Sequence, residues 1–201
     1  NSKFSLIIIE KDVIFSNSIG DITAVDLNSG LIKWQLPTQS SNILNETYYF
    51  KISKLVSDEN SIYFSNNKNQ FYSIDTKTGT INWINEINSN LTPIINDNFI
   101  FTVSDEGYLY ILDKIKGNIV RINYLFENYK LKVRKNIKPI GFSIGNTKLY
   151  LTNNDGKMII TDLSSGKVID VQKISGNLVS KPFIHNQNLF VIKNGSITQY
   201  N

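Results

Sequence analysis

A motif that places Asp, Gly and a third residue at four-residue intervals recurs along the chain and constrains the fold more than any other feature. Its copies are GDITAVDLNSGLIKW (20–34), NQFYSIDTKTGTINW (69–83), GYLYILDKIKGNIVR (107–121) and GKMIITDLSSGKVID (156–170). A fifth copy, GSITQYN (195–201), ends with Asn in the position of the Asp. The anchors Asp26, Asp75, Asp113, Asp162 and Asn201 are spaced 49, 38, 49 and 39 residues apart. A regular period of this length is the signature of a repeat protein.

Each copy predicts four short β-strands and no helix of any length. The first strands are predicted at LIII (6–9), FKISKLV (50–56), TPIIND (92–97), PIGFSI (139–144) and KPFIH (181–185). The second strands are predicted at VIF (13–15), IYF (62–64), FIF (99–101), LYL (149–151) and LFV (189–191). The hairpins that follow carry Gly20, Asn69, Gly107, Gly156 or Gly195, residue types that tolerate a positive φ. The third strand ends at the Asp, and the fourth follows the motif Gly.

The Asp, Gly and Trp of the motif are interpreted as structural residues. An Asp carboxylate can accept N–H groups of the following turn, and a Gly closes that turn as a left-handed bulged hairpin. The outer-strand Trp is expected to cover the turn and the neighbouring repeat, and its burial contributes roughly 4–6 kcal/mol as an upper bound. The residues assigned to this structural set are Asp26, Gly30, Trp34, Asp75, Gly79, Trp83, Asp113, Gly117, Asp162 and Gly166.

Repeats of four strands with this period predict an all-β fold of β-propeller blades, because one blade cannot bury both of its faces without neighbours. The predicted blades span about 5–36, 47–88, 91–124 and 139–173, and three strands of a fifth span about 178–200. They form a single propeller domain over 1–201 or the C-terminal portion of a larger one. The larger ring is the favoured expectation, and an open blade face or edge would favour self-association.

The phrase Ala/Ser-x-Asp-x-x-x-Gly-x-x-x-Trp resembles the tryptophan-docking repeat of the PQQ-like β-propellers, although Arg121 and Asp170 replace Trp in the later copies. Within that group, residues 104–120 and 149–201 resemble the C-terminal end of the BamB family of outer-membrane lipoproteins. The resemblance implies eight blades, a last blade completed by an N-terminal strand, and a periplasmic location. It also implies a lipidated N-terminal Cys and docking onto the barrel-inserting subunit of the β-barrel assembly machinery. Eight blades would need on the order of 330 residues at this period.

The residues offer little for catalysis, so we expect no enzyme, no cofactor and no metal. Cys is absent, which excludes disulfides and thiolate chemistry. The acidic stretches SDE (57–59), SDE (104–106) and TNNDGK (152–157) are predicted to be turns, and the single His185 is predicted to lie at a strand end. Two alternatives stay open, a quinone-dependent periplasmic dehydrogenase-like propeller and a generic extracellular binding propeller; quinone and calcium titrations would test the first.

The long spacings place insertions at 37–49 and 125–138, and the second carries the candidate partner-binding residues. It reads YLFENYKLKVRKNIK (124–138) and contains Lys130, Lys132, Arg134, Lys135 and Lys138. If the segment is extended, its first three cations share one face and Leu131 and Val133 point inward. Such a face suits an acidic protein surface or anionic lipid headgroups. Nucleic acid is not expected, because no aromatic platform accompanies the cations.

Overall fold

The computed structural model describes residues 4–17, 20–38, 51–176 and 178–200. Most of the first predicted insertion, the beginning of the second predicted blade at 47–50, and the fifth anchor Asn201 lie outside the described residues.

The described chain forms five antiparallel sheets whose strands follow one another in sequence order. The first sheet contains β1 (Leu6–Ile9), β2 (Asp12–Ser16), β3 (Ile22–Asp26) and β4 (Ile32–Leu36), and the second contains β5 (Val56–Ser57), β6 (Ser61–Asn66), β7 (Gln70–Asp75) and β8 (Ile81–Asn85). The third contains β9 (Ile94–Asn96), β10 (Phe99–Val103), β11 (Tyr108–Asp113) and β12 (Ile119–Tyr124). The fourth contains β13 (Pro139–Gly145), β14 (Lys148–Asn153), β15 (Lys157–Asp162) and β16 (Val168–Lys173). The fifth has three strands, β17 (Phe183–His185), β18 (Asn188–Lys193) and β19 (Ser196–Tyr200).

The predicted four-stranded repeat is therefore confirmed in the described residues. The least regular strand is the first of the second sheet, where β5 has two residues and Ile52 adds only an isolated bridge to Asn66. One helical turn, α1 (Leu131–Arg134), interrupts the β-structure. Across the described ranges, no helix has the length and apolar character needed to cross a membrane.

The chain forms two compact units, Asn1–Ile100 with Asp113–Asn118, and Phe101–Leu112 with Ile119–Asn201. A hydrophobic cluster of the first unit draws on both of its complete sheets and consists of Ile14, Ile22, Ala24, Trp34, Leu55, Ile62, Phe64, Tyr72 and Ile74. A cluster of the second unit joins the fourth and fifth sheets and consists of Met158, Ile174, Val179, Leu189 and Val191. Inner strands such as β6 are buried along most of their length, because apolar side chains cover both faces of the sheet.

The four Asp anchors close the same turn in the same way. The Asp26 carboxylate accepts the Asn28 and Ser29 N–H groups at 3.1 and 2.8 Å, and Gly30 follows at φ +71°. Gly79, Gly117 and Gly166 have φ values of 71–73°, and a β-bulge accompanies each of the four hairpins. Hydrogen bonds from the Ser164 and Ser165 hydroxyls lower the pKa of Asp162 to about 2. The carboxylates of these anchors are engaged in the turns, as predicted.

Each of the first three outer strands docks a side chain on the anchor turn of the next sheet. The indole nitrogens of Trp34 and Trp83 donate to the carbonyls of Thr76 and Lys114, both at 3.1 Å. Each accepting residue directly follows an anchor Asp. The predicted packing of the Trp rings over the neighbouring turns is confirmed.

Arg121 takes the Trp position in the third copy and reaches the equivalent carbonyl. Its guanidinium donates to Leu163 O at 3.4 Å and also to Ser164 O. In the fourth copy, Asp170 instead accepts from Val171 N and from the Gln172 side chain, both at 2.7 Å. The substitution by Arg therefore preserves the docking hydrogen bond, whereas the Asp carboxylate is engaged within its own strand.

Candidate protein-interaction surface

The acidic stretches considered for chemistry are turns in the structure. The Asp58 carboxylate accepts the N–H groups of Asn60 and Ser61 and lies 3.1 Å from the Lys114 ammonium. Asp155 lies in the turn between β14 and β15, and His185 is exposed at the end of β17. In the described ranges, no three His, Asp or Glu side chains converge in a geometry that could hold a metal ion.

Residues 124–138 form a basic segment that is fixed to the second unit by buried side chains. Leu125, Phe126, Tyr129 and Ile137 are all buried. The Phe126 ring packs on the α-carbon of Gly107 so closely that a Cβ there would clash with the ring. The segment is thus anchored along its length, which limits the entropy that a bound partner would have to remove.

Tyr129 is the most highly connected of these anchors. Its hydroxyl donates to Asp155 Oδ1 and accepts from Asn153 Nδ2, both at 3.2 Å. The Lys157 ammonium lies 4.3 Å from the centre of its ring, within the range of a cation–π interaction. Burial is the main cause of the raised pKa of Tyr129. The hydroxyl therefore stays protonated and keeps the basic segment attached to the turn between β14 and β15.

Replacing Tyr129 with Phe is expected to lower the free energy of unfolding by about 1–3 kcal/mol, because buried Asn153 loses an acceptor and Asp155 loses a donor. Urea unfolding followed by circular dichroism measures the change. A double-mutant cycle with Asp155→Ala should give a coupling energy of about 0.5 kcal/mol or more. Additive effects of the two substitutions would show that the hydrogen bond contributes nothing.

The expectation of an extended basic segment is wrong. Leu131–Arg134 form the single turn α1, and Leu131 and Val133 are 78% and 41% exposed, not turned inward. An extended backbone here would need a neighbouring strand to accept its hydrogen bonds, whereas the turn forms Val133 N to Lys130 O at 3.0 Å within the segment. Arg134 strengthens the turn, since its Nε donates to Tyr129 O at 2.8 Å.

The predicted cations consequently separate into three groups. Arg134 is turned back on its own segment and also donates to Glu127 O at 2.6 Å. Lys130 and Lys132 are exposed at and within α1. Lys135 and Lys138 line a neighbouring groove. Arg134 also lines the groove with this last pair, while Lys130 and Lys132 remain exposed on the turn.

The groove has a volume of about 490 Å³ and lies within the second unit. Tyr108 and Tyr124 both line it, a cross-strand pair whose ring centres are 4.8 Å apart. The guanidinium carbon of Arg134 lies 5.5 Å from the centre of the Tyr124 ring. Leu131 and Ile137 add apolar surface from the basic segment. The sequence reasoning did not identify this groove, although the hairpin β11–β12 could have shown that the two Tyr residues are paired.

Charge is distributed unevenly along the sequence, and the basic segment carries the excess. It contains five cations and one acid, Glu127, which makes a net charge of +4, the value for the whole chain. The other 186 residues contain 16 cations and 16 acids and are neutral overall. At physiological salt, interactions between exposed charges are largely screened beyond about 8 Å, so local charge matters more than the total. This segment is therefore the part of the sequence best suited to attract an acidic partner.

Comparison with known proteins points to one family and one fold. The family model described as outer membrane protein assembly factor BamB matches residues 1–123. No curated protein matches the sequence at a significant level. The crystal structure of BamB from Moraxella catarrhalis is similar at 17% identity and a TM-score of 0.55, over 96% of this chain and 70% of that one.

Two further solved structures are similar at 12% identity each. The computationally designed Ika8 protein has a TM-score of 0.72, and the match covers 97% of this chain and 57% of Ika8. The β-propeller domain of Cps50 (Swd1) from Myceliophteria thermophila has a TM-score of 0.68, and the match covers 95% of this chain and 62% of that domain. The chain thus spans less than two thirds of these two proteins. At such low identities the similarity concerns the fold, and it confirms the predicted β-propeller architecture of four complete blades and a three-stranded fifth.

Proposed function

Because the chain belongs to the family of the outer membrane protein assembly factor BamB, we propose that it is a non-enzymatic scaffold in the assembly of outer-membrane proteins. The observation that carries the proposal is the family match over more than half of the sequence. The basic segment follows directly on the matched residues and is the candidate contact surface.

The proposed partner is the barrel-inserting subunit of the assembly machinery, and the proposed location is the periplasmic side of the outer membrane of a Gram-negative bacterium. Both follow from the resemblance to the BamB lipoproteins. Residues 1–201 contain no Cys, so the proposed lipid anchor would have to be attached outside this range. Neither the anchor nor the subunit is needed for the chain to present a rigid, positively charged surface.

The basic segment supports a scaffold role for a physical reason. Its backbone is held by buried aromatic and apolar side chains, while Lys130, Lys132, Lys135 and Lys138 are exposed. Exposed cations on a fixed surface accelerate encounter with an acidic partner and set its orientation. Propeller proteins generally bind through such loops, since the strands themselves are occupied in packing.

Reversing the charge of the exposed lysines should reduce capture of the partner. Affinity purification of the tagged protein from a Gram-negative host should recover the barrel-inserting subunit, quantified by mass spectrometry. Changing Lys130, Lys132, Lys135 and Lys138 to Glu is expected to lower recovery about tenfold or more, because each rim charge pair contributes about 0.2–1 kcal/mol.

The matched control changes Lys54, Lys77, Lys116 and Lys167 to Glu, which alters the net charge by the same amount at other exposed positions. Recovery with this control should stay close to that of the unchanged protein. Failure of the unchanged protein to recover the subunit would contradict the proposed function. Saturable binding of quinone or calcium would instead favour the dehydrogenase-like alternative.

A further inference from the structure

Charges of both signs line the groove beside the basic segment. Lys135 and Lys138 line it from the basic segment, and Asp105 and Glu106 line it from the turn between β10 and β11. Tyr108 and Tyr124 lie among them. A ligand that fills the groove would therefore meet cations, carboxylates and aromatic rings.

Leu131 extends the apolar surface of the groove into solvent. It is 78% exposed, and the turn that carries it is closed by backbone hydrogen bonds and by Arg134. The fold thus gains little from this side chain, whereas a ligand that covered it would remove apolar surface from water. Leu131 is bordered by the exposed Lys130 and Lys132, so a partner that covered it would also meet two cations.

An extended polypeptide fits these requirements better than a lipid surface does. Carboxylates of a peptide can pair with Lys135 and Lys138. Its backbone N–H groups can donate to the carboxylates of the turn between β10 and β11, because each carboxylate can accept more than one hydrogen bond. A layer of lipid headgroups presents no apolar side chain that could enter the groove beside Tyr108 and Tyr124. The volume of about 490 Å³ suits a large side chain with its neighbouring backbone.

We propose that the groove lined by Tyr108, Tyr124, Leu131, Lys135 and Lys138 binds an extended acidic segment of a partner protein, with an aromatic or aliphatic side chain of that segment placed against the tyrosines and Leu131. The inference rests on the proposed scaffold function and specifies the chemistry that its partner presents. Main-chain donors, acidic side chains and one apolar anchor are the elements of recognition.

The test uses the whole chain and a fluorescein-labelled synthetic peptide in which one central Phe is flanked by Asp and Glu residues. Fluorescence anisotropy should show saturable binding that weakens as salt is raised, because exposed ion pairs contribute. Leu131→Ser is expected to weaken binding about fivefold or more, and the pair Lys135→Glu and Lys138→Glu about tenfold or more. Replacing the central Phe of the peptide with Ser should have an effect similar to that of Leu131→Ser.

Matched controls separate the groove from general surface effects. Leu31→Ser changes a residue of the same type that is 69% exposed in the other compact unit, and should leave binding within about twofold. The double variant Lys116→Glu with Lys167→Glu makes the same change in net charge as the groove pair, and it should also leave binding within about twofold. Thermal unfolding of every variant verifies that the fold is intact, as expected for exposed positions.

The inference is overturned if the unchanged protein does not bind the peptide, if the groove variants bind as well as their controls, or if vesicles of phosphatidylglycerol bind and the peptide does not. Subunit capture reports separately on the proposed function. Subunit capture without peptide binding would contradict only the proposed binding at the groove. Peptide binding without subunit capture would contradict only the proposed function.

Discussion

Replacing Trp34 with Ala is expected to lower the free energy of unfolding of the first unit by about 3–5 kcal/mol. The indole is buried in a cluster that includes Ile62 and Phe64, and it packs on the turn of the following sheet. The substitution removes a large apolar surface from the contact between two sheets and leaves a cavity. It also leaves the Thr76 carbonyl without the indole donor.

Trp34→Phe separates the two contributions. It retains an aromatic ring but loses the 3.1 Å hydrogen bond to Thr76 O, so we expect a loss of about 1–3 kcal/mol. Urea unfolding monitored by far-ultraviolet circular dichroism measures both variants, with Trp83 fluorescence as a second probe. An Ala variant that loses less than about 1 kcal/mol would show that the docked ring does not hold the two sheets together.

Gly79→Ala is expected to destabilise the protein by about 2–5 kcal/mol, whereas Gly30→Ala should cost only about 1–2 kcal/mol. Both glycines have φ +71° and occupy the same position of the same turn, so the cost of the left-handed backbone is shared. They differ in their surroundings. A Cβ on Gly79 would lie 2.5 Å from the Trp34 ring, whereas a Cβ on Gly30 would meet no atom within 4 Å.

The difference between the two variants therefore measures the packing of Trp34 against the neighbouring turn. Calorimetric unfolding of both proteins under identical conditions gives the comparison. Equal losses would mean that only the backbone conformation matters at these positions. If Trp34 does pack against this turn, the double variant Gly79→Ala with Trp34→Ala should lose less free energy of unfolding than the sum of the two single variants, because removing the indole removes the clash.

Much of the fold could be predicted because its repeat is encoded within about fifteen consecutive residues. The anchor Asp, the two-residue alternation before it and the Gly four residues later all act through local hydrogen bonds and local backbone preference. Asp26 illustrates this, since the N–H groups it accepts come from residues two and three positions later. The strands, the left-handed glycines and the docked Trp rings agree with that prediction.

The equivalence of Arg121 with Trp could not be inferred from residue type. Its guanidinium replaces an indole only because the Leu163 and Ser164 carbonyls lie within reach, more than forty residues away in sequence. Asp170 occupies the same repeat position but bonds within its own strand. A difference of this kind depends on which atoms face the side chain across two sheets.

The amino-acid order alone predicts the all-β repeat, the anchor turns and the concentration of positive charge in residues 124–138, since each depends on neighbours in the chain. The shape of that charged segment depends instead on contacts with residues distant in the chain. Tyr129 meets Asn153 and Asp155, which are 24 and 26 residues away, and Phe126 packs on Gly107. These distant contacts curl the segment into a turn, expose Leu131 and form the groove, because a loop without a strand partner takes the conformation that its anchoring contacts impose.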